Sequence, residues 1–397
     1  MILTIITSAI IYYWRNLQIM CEKIAIICEF NPLHNGHKAI LEYAREAGEC
    51  VIAVMSGNFT QRSTPAVYDK YRRAEAALRA GADAVFELPM PWCSGSGEFF
   101  ATGAVAIAAG LGVKSFVFGS ETGDTEHVIK AASVADSEEY RALLGCEASD
   151  HVGTAVFHDG LMEKFGVKLG SNDKLAAEYV RSAAKLGLDA RFSAYKRMET
   201  DGLYKSATEL REMLYSGADD VFSYVPRDVY EGDDMVPHVK RGEYEKLLFN
   251  YFRLLNGVSG VSAFDAGGGV AERLWHAAGE ASCAEEFFEK AATKRYTDSR
   301  LRRAALYTVL GVTEDELRQL PLFTVLLGAN EKGRTFLKKT KKTRSINVIT
   351  KPSEFSPARE VEKKQYETWK RADELYSLCL TDGVRRGEYL RRGPHII

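Results

Sequence analysis

From Lys23 onward the chain alternates short apolar runs with longer amphipathic stretches, and few folds accommodate that alternation. Lys23–Cys28 (KIAIIC), Val51–Met55 (VIAVM), Ala84–Leu88 and Lys114–Gly119 (KSFVFG) read as strands. Between them His34–Gly48, Tyr68–Ala80 and Glu98–Gly110 carry helical periodicity, the second closed by Gly81. Continuous apolar runs suit strands buried on both faces, and long helices between them make βαβ units. The spacing predicts an α/β fold: a doubly wound parallel sheet, Rossmann-like, with right-handed crossovers and a ligand site at the carboxyl edge of its strands. Gly153–Gly166, Asp173–Leu186 and Ser206–Tyr215 read as further helices, and Arg191–Met198 as a further strand. Beyond about Pro226 strand-like runs thin out. Helices dominate there, at Glu243–Leu255, Val270–Ala278, Glu285–Thr293, Ser299–Leu310 and Glu314–Leu320. We expect one domain over residues 20–225 and a mainly helical one over 226–397.

A chain of 397 residues is long for one core, and its 46% hydrophobic and 27% charged residues are a globular composition. The seven cysteines are scattered without a C-x-x-C pair, which argues against a zinc site or a disulfide framework and fits a reducing cytoplasm. Met1–Trp14 is apolar but too short to span a bilayer, and it lacks the basic start and cleavage site of a secretory signal. Residues 1–19 are expected to be a dispensable extension or a mis-start, with Met20 just before the first strand. No membrane association is expected.

The chemistry concentrates in Glu29-Phe30-Asn31-Pro32-Leu33-His34-Asn35-Gly36-His37, directly after the first strand. His34 and His37 are three apart, so at a helix start both rings can project from one face. The free amides and partial positive charge of a helix N-terminus suit phosphate, and Gly36 removes a side chain where a nucleotide approaches the backbone. Imidazole donors there can stabilise charge on a departing pyrophosphate. As helix-start residues the two histidines are expected to be exposed and to add little packing. Taken without context, H-x-G-H serves equally as a helix cap or a chance metal ligand. Its place after the first strand of an α/β run favours nucleotide chemistry, and no third ligand at sensible spacing favours a metal.

Two later features add to this. Ser206-Ala207-Thr208 opens a helix and Arg211 follows, a set of hydroxyls, free amides and a guanidinium suited to an anion; the same residues also make an ordinary N-cap. Between Lys294 and Lys351 there are 14 Lys/Arg against five acidic residues. Lys338, Lys339, Lys341 and Lys342 form the densest stretch; Lys294 and Arg295 flank Tyr296 in a second cluster. Such patches bind phosphate backbones, with aromatics stacking on unpaired bases, although most short charge runs are solvated surface.

The run 29–37 resembles the HxGH motif of the nucleotidyltransferase superfamily. The chain is further similar to the tRNA(Met) cytidine acetate ligase family through EFNPLHNGH (29–37), VMSGNFTQR with a following PA (54–62, 65–66), FELP (86–89) and FGSETGD (118–124). SNDKL (171–175), SATELR (206–211), KRYTDSRLRR (294–303) and LLGANEKG (326–333) continue the match. The similarity is collinear from about Lys23 almost to the C-terminus. It implies ATP, normally with Mg²⁺, acetate and elongator tRNA(Met) as substrates. Acetyl-adenylate and pyrophosphate would form first, then N4-acetylcytidine at the wobble position and AMP. It also implies an ATP loop over Ile27, Cys28, Glu29, Phe30, Asn31, Pro32, Leu33, His34, Asn35, Gly36, His37, Lys38, Ala39 and Ile40, with the histidines at the phosphates. Gly119 would lie against the nucleotide, Asn172 would bind it, and Arg197 and Met198 would complete the pocket. Departures from the family are Ser171 for a proline, Lys174 and Ala176 for isoleucine and glycine, and Ser63 for a glycine. Two rivals stand beside this reading: another HxGH adenylyltransferase, such as one making a dinucleotide cofactor, and a non-enzymatic RNA-binding protein with a vestigial pocket.

Overall fold

The structure, a computed structural model, describes residues 22–147, 154–197, 205–232, 235–293 and 295–397. The extension 1–19, Met198 and Lys294 lie outside the described residues.

The strands are β1 (Lys23–Cys28), β2 (Cys50–Ser56), β3 (Ala84–Leu88), β4 (Ser115–Ser120), β5 (Arg191–Lys196), β6 (Phe323–Ala329), β7 (Asn347–Ile349) and β8 (His395–Ile396). They form one sheet in the order β5-β4-β1-β2-β3-β6-β7, with β8 also paired to β6. β1 pairs in parallel with β2 (Ile26 opposite Ala53) and with β4 (Ile26 opposite Val117). The winding thus runs one way from β1 through β2 to β3 and the other way through β4 to β5. The reversal between β1 and β4 leaves a crevice at the carboxyl ends of these two strands, where open α/β sheets bind ligands.

Helices α1 (Asn35–Ala47), α2 (Lys70–Arg79), α3 (Gly97–Gly110), α4 (Thr125–Asp136), α5 (Glu138–Glu147), α6 (Thr154–Lys164), α7 (Ser171–Lys185) and α8 (Ala207–Ser216) belong to the first half. Then come α9 (Glu243–Leu254), α10 (Val270–Glu280), α11 (Ala284–Ala291), α12 (Asp298–Leu310), α13 (Glu331–Thr340) and α14 (Glu360–Ser377). The run AVAIAAG makes α3 apolar nearly all round, as fits a helix covered on several sides, and it packs against α7. α2 starts where the Asp69 carboxylate accepts the amides of Tyr71 and Arg72, satisfying two donors that a helix start leaves free.

The sheet corrects the sequence reading in one respect. Three strands come from beyond residue 320, and β6 runs antiparallel to β3 as a central member, buried at all seven positions. A short apolar run such as FTVLLGA has no alternation to separate a buried strand from a buried helix, so its pattern alone does not show it. α4 and α5 were likewise absent from the expected elements.

One buried charge cluster ties α14 to the sheet. Lys70 Nζ lies 2.9 Å from Glu87 Oε2 and 2.6 Å from Asp373 Oδ2, and all three side chains are at most 5% exposed. Trp369 Nε1 donates to Glu87, and Asn58 Nδ2 donates to Asp373. Burial lifts Glu87 to about 7 against the pull of Lys70.

Candidate active site

A cleft of about 830 Å³ opens at the switch point. Its walls include Ile26–Cys28 at the end of β1, Phe118 and Gly119 at the end of β4, and the loop from Glu29 into α1. Phe30, the second residue after β1, has φ 48°, a left-handed conformation rare for a bulky residue, and strain of this kind persists only where surrounding contacts hold it. Its ring meets His37 edge-on at 5.1 Å. Arg73 from α2 braces the same corner, donating to the carbonyls of Glu29 (2.6 Å) and Ser56 (3.1 Å), and also to that of Gly57.

His34 caps α1 and His37 occupies its third position, which stacks the two rings at a centroid distance of 3.6 Å. His37 Nδ1 accepts the His34 amide (3.3 Å), so the proton of its neutral ring lies on Nε2. Neither ring is exposed as expected: His34 is only 4% accessible, with its ring stacked on that of His37. Burial and the nearby Arg197 guanidinium pull His34 down to about 4. His37 is also held well below the ordinary imidazole range, by burial first and then by His34 and Arg197, with the Pro32 carbonyl opposing. Both imidazoles are therefore neutral at pH 7. His34 Nδ1 is buried without a hydrogen-bond partner among the described residues, a polar atom that a ligand can satisfy.

The second motif lines the same cleft as the first. Ser206 caps α8, with Glu209 closing the capping box. Arg211 donates through Nη1 to the Asn31 carbonyl (3.0 Å) and through Nη2 to Thr208 (2.9 Å), which fixes α8 on the histidine loop. Ser206, Thr208 and Arg211 all line the cleft, as do Gly119, Asn172 and Arg197. A Cβ on Gly119 would sit 3.0 Å from the Ile40 side chain, so the glycine keeps this floor flat. Asn172 is held by Glu121, whose Oε1 accepts both its amide (3.0 Å) and its Nδ2 (2.7 Å), while Oε2 accepts the Asp173 amide. These bonds draw the Glu121 carboxyl below its ordinary range despite partial burial.

Not every residue of the expected ATP loop faces the cleft. Leu33 is core, Asn35 bonds the Ser223 carbonyl, and Lys38 turns away to Asp228 at 2.6 Å. Pro32 and Ala39 are also absent from the walls. Conversely, Arg62, Glu121 and Lys174 line it without having been singled out. All three sit inside quoted motif strings, so a charged side chain next to a nucleotide motif was the available signal. Cys28 is no nucleophile: burial pushes its thiol well up. The described residues hold no cluster of three His, Cys, Asp or Glu suited to a metal. No described helix is long and apolar enough to cross a membrane.

The basic stretch separates into two populations. Arg302, Arg303 and Arg318 are paired with acidic neighbours, Asp265 and Glu314 among them. Lys338, Lys339, Lys341 and Lys342, in the last turn of α13 and just after it, are exposed and form no ion pair among the described residues. Arg295 is exposed but lies over the Tyr296 ring, whose other contacts are Arg300 and the Gly268 carbonyl. Tyr296 is thus already engaged.

A switch-point cleft carrying two histidines at the first helix start defines a class, the HIGH nucleotidyltransferases. The family model described as HIGH Nucleotidyl Transferase matches residues 21–389. Among curated relatives, the tRNA(Met) cytidine acetate ligase of Thermoanaerobacter pseudethanolicus is 32% identical over 84% of this chain and 89% of its own length. That of Thermotoga maritima is 34% identical over 82% and 86%, and that of Streptococcus thermophilus 35% over 82% and 88%. The crystal structure of Thermotoga maritima TmcAL bound with alpha-thio ATP superposes with a TM-score of 0.86 at 29% identity, covering 95% of this chain and 99% of that one. The chain belongs to the tRNA(Met) cytidine acetate ligase family.

Proposed function

We propose that the protein acetylates the wobble cytidine of elongator tRNA(Met) at the expense of ATP. The observation that carries this is the convergence on one cleft of His34, His37, Gly119, Asn172, Arg197 and the α8 start with Arg211, in a chain of this family. In the first step an acetate oxygen attacks the α-phosphorus of ATP, a bond to the α-phosphate forms and pyrophosphate leaves. The neutral imidazoles, the amides at the starts of α1 and α8, and the Arg197 and Arg211 guanidiniums are the donors for the charge that gathers on the leaving group. In the second step the exocyclic amine of cytidine attacks the acetyl carbonyl; a C–N bond forms and AMP leaves. Mg²⁺ would arrive on the ATP oxygens, held by phosphate and water more than by protein.

The unpaired lysines of 338–342 are the proposed grip on tRNA phosphates, and Arg295 belongs to a second basic cluster earlier in the chain. We place ATP chemistry in residues 20–225 and RNA contact in 226–397, in a cytoplasmic setting. Acetate-dependent exchange of labelled pyrophosphate into ATP tests the reading: the ligase performs it, whereas a cofactor-making adenylyltransferase or a vestigial RNA binder does not.

A further inference from the structure

Glu29 is a carboxylate that the two-step scheme leaves without a task. It lines the cleft directly before Phe30, and its two oxygens are treated differently. Oε1 accepts the Gln61 amide at 2.7 Å and the Ser56 hydroxyl at 3.4 Å, which fixes the plane of the group. Oε2 receives no hydrogen bond from any described residue. Its backbone is clamped as well, by Arg73 on the carbonyl. A carboxylate held at one oxygen and open at the other is arranged to accept a proton from something that enters the cleft. We propose that Glu29 is the proton acceptor for the cytidine amine, and that the same oxygen selects cytidine by accepting its N4–H.

The chemistry balances. As N4 bonds to the acetyl carbon and the bond to the adenylate oxygen breaks, one N4 proton passes to Glu29 Oε2 and is later released to water, while AMP leaves with the bonding pair. A uracil presents a carbonyl oxygen where cytosine presents an amine, so an ionised carboxylate repels it. Burial raises the basicity of Glu29. The Gln61 amide and then Arg73, Arg211 and Arg62 pull the other way, while Glu29 in turn pushes up the Cys28 and Cys93 thiols and the Tyr179 phenol; His34, His37, Glu121, Lys174, Glu178 and Arg197 line the same cleft. Its pKa thus stands above that of an ordinary glutamate.

This inference rests on the proposed acetyl transfer, and the test separates the two. Synthetic acetyl-adenylate replaces ATP and acetate, and transfer to tRNA(Met) is followed in single turnovers at saturating tRNA from pH 4.5 to 8. The wild type should show a rate that climbs with pH to a plateau. Glu29→Gln should slow transfer by at least about 100-fold, the low end for a positioned general base, and abolish the climb while leaving half-saturation by tRNA within a few-fold. Glu29→Asp, the safeguard against a misfolded Gln variant, should keep a pH-dependent limb at a reduced rate. Transfer by Glu29→Gln within about threefold of wild type, a slow variant that retains the wild-type limb, or a wild-type profile with no limb would each overturn the assignment. A wild type that makes no N4-acetylcytidine at all would instead refute the function on which the assignment rests.

Discussion

His34 and His37 lie face to face, 3.6 Å between ring centroids with planes 20° apart, in a pocket that keeps both uncharged. Stacked imidazolium rings would repel each other and the Arg197 guanidinium. The free protein therefore holds a pair of neutral donors ready for phosphate. His34→Asn and His37→Asn should each lower acetate-dependent pyrophosphate exchange by about 100-fold or more. Exchange at the wild-type rate in either variant would remove the histidines from the chemistry.

The same depression has a stability consequence. Both folded-state values lie below the unfolded 6.5, so the unfolded chain binds protons that the native one refuses. The contribution is complete above pH 6.5 and is lost as pH falls toward about 4, the value for His34. Urea unfolding of the His34→Asn variant from pH 7 to 4.5 should show a shallower acid decline than wild type. ATP phosphates reverse the bias, so binding near pH 6 should take up protons, visible as a buffer-dependent heat in calorimetry.

Lys70 serves two buried carboxylates at once, which predicts unequal costs within one cluster. Lys70→Met strands Glu87 and Asp373 without their cation and should lose about 3–5 kcal/mol. Glu87→Gln leaves one anion for one cation and should lose far less. Linkage has the opposite sign here: Glu87 rises to about 7 on folding, so its contribution is present at pH 4.5 and declines as pH climbs through 7. Equal losses for the two variants in urea titrations would contradict this description.

Gly119 offers a steric test of the nucleotide floor. A methyl group there meets Ile40 at 3.0 Å and must be accommodated toward the cleft. Overpacking of about 1–3 kcal/mol, expressed as ATP affinity, is a weakening of about 5- to 150-fold. Unchanged ATP affinity in Gly119→Ala, measured by calorimetry, would place the nucleotide elsewhere.

How far the sequence carried depends on range. β1 to β5 were legible because their apolar runs stand between helices, and the histidine motif because its residues are adjacent in the chain. β6 was not, since its partner β3 lies more than 200 residues earlier and its own pattern is neutral between strand and helix. Arg73 and Glu121 were missed for a related reason: one looks like a polar face residue of α2, and its carbonyl partners at Glu29, Ser56 and Gly57 become visible only when β1 and β2 end side by side. The departures proved mild. Ser171 occupies the first turn position of α7, where proline is merely pre-shaped, and Asn172 still reaches the cleft. Ser63 has φ 57°, a conformation that suits the glycine the resemblance implies there; here its hydroxyl donates to the Ser94 carbonyl.

Replacing Lys338, Lys339, Lys341 and Lys342 with Glu should separate the half-reactions. Each lost phosphate contact removes about 0.7–0.9 of a unit from the slope of log affinity against log salt. tRNA binding should weaken and its salt dependence flatten, while pyrophosphate exchange continues. Unchanged acetylation at limiting tRNA would reduce the patch to solvated surface.

The most direct test of the whole account is to incubate the purified protein with labelled acetate, ATP and total tRNA, and to identify the labelled nucleoside and its position. The account predicts label in N4-acetylcytidine at the wobble position of elongator tRNA(Met), with one AMP and one pyrophosphate formed per acetyl group. Label absent from tRNA, or ATP consumption indifferent to acetate, would contradict it.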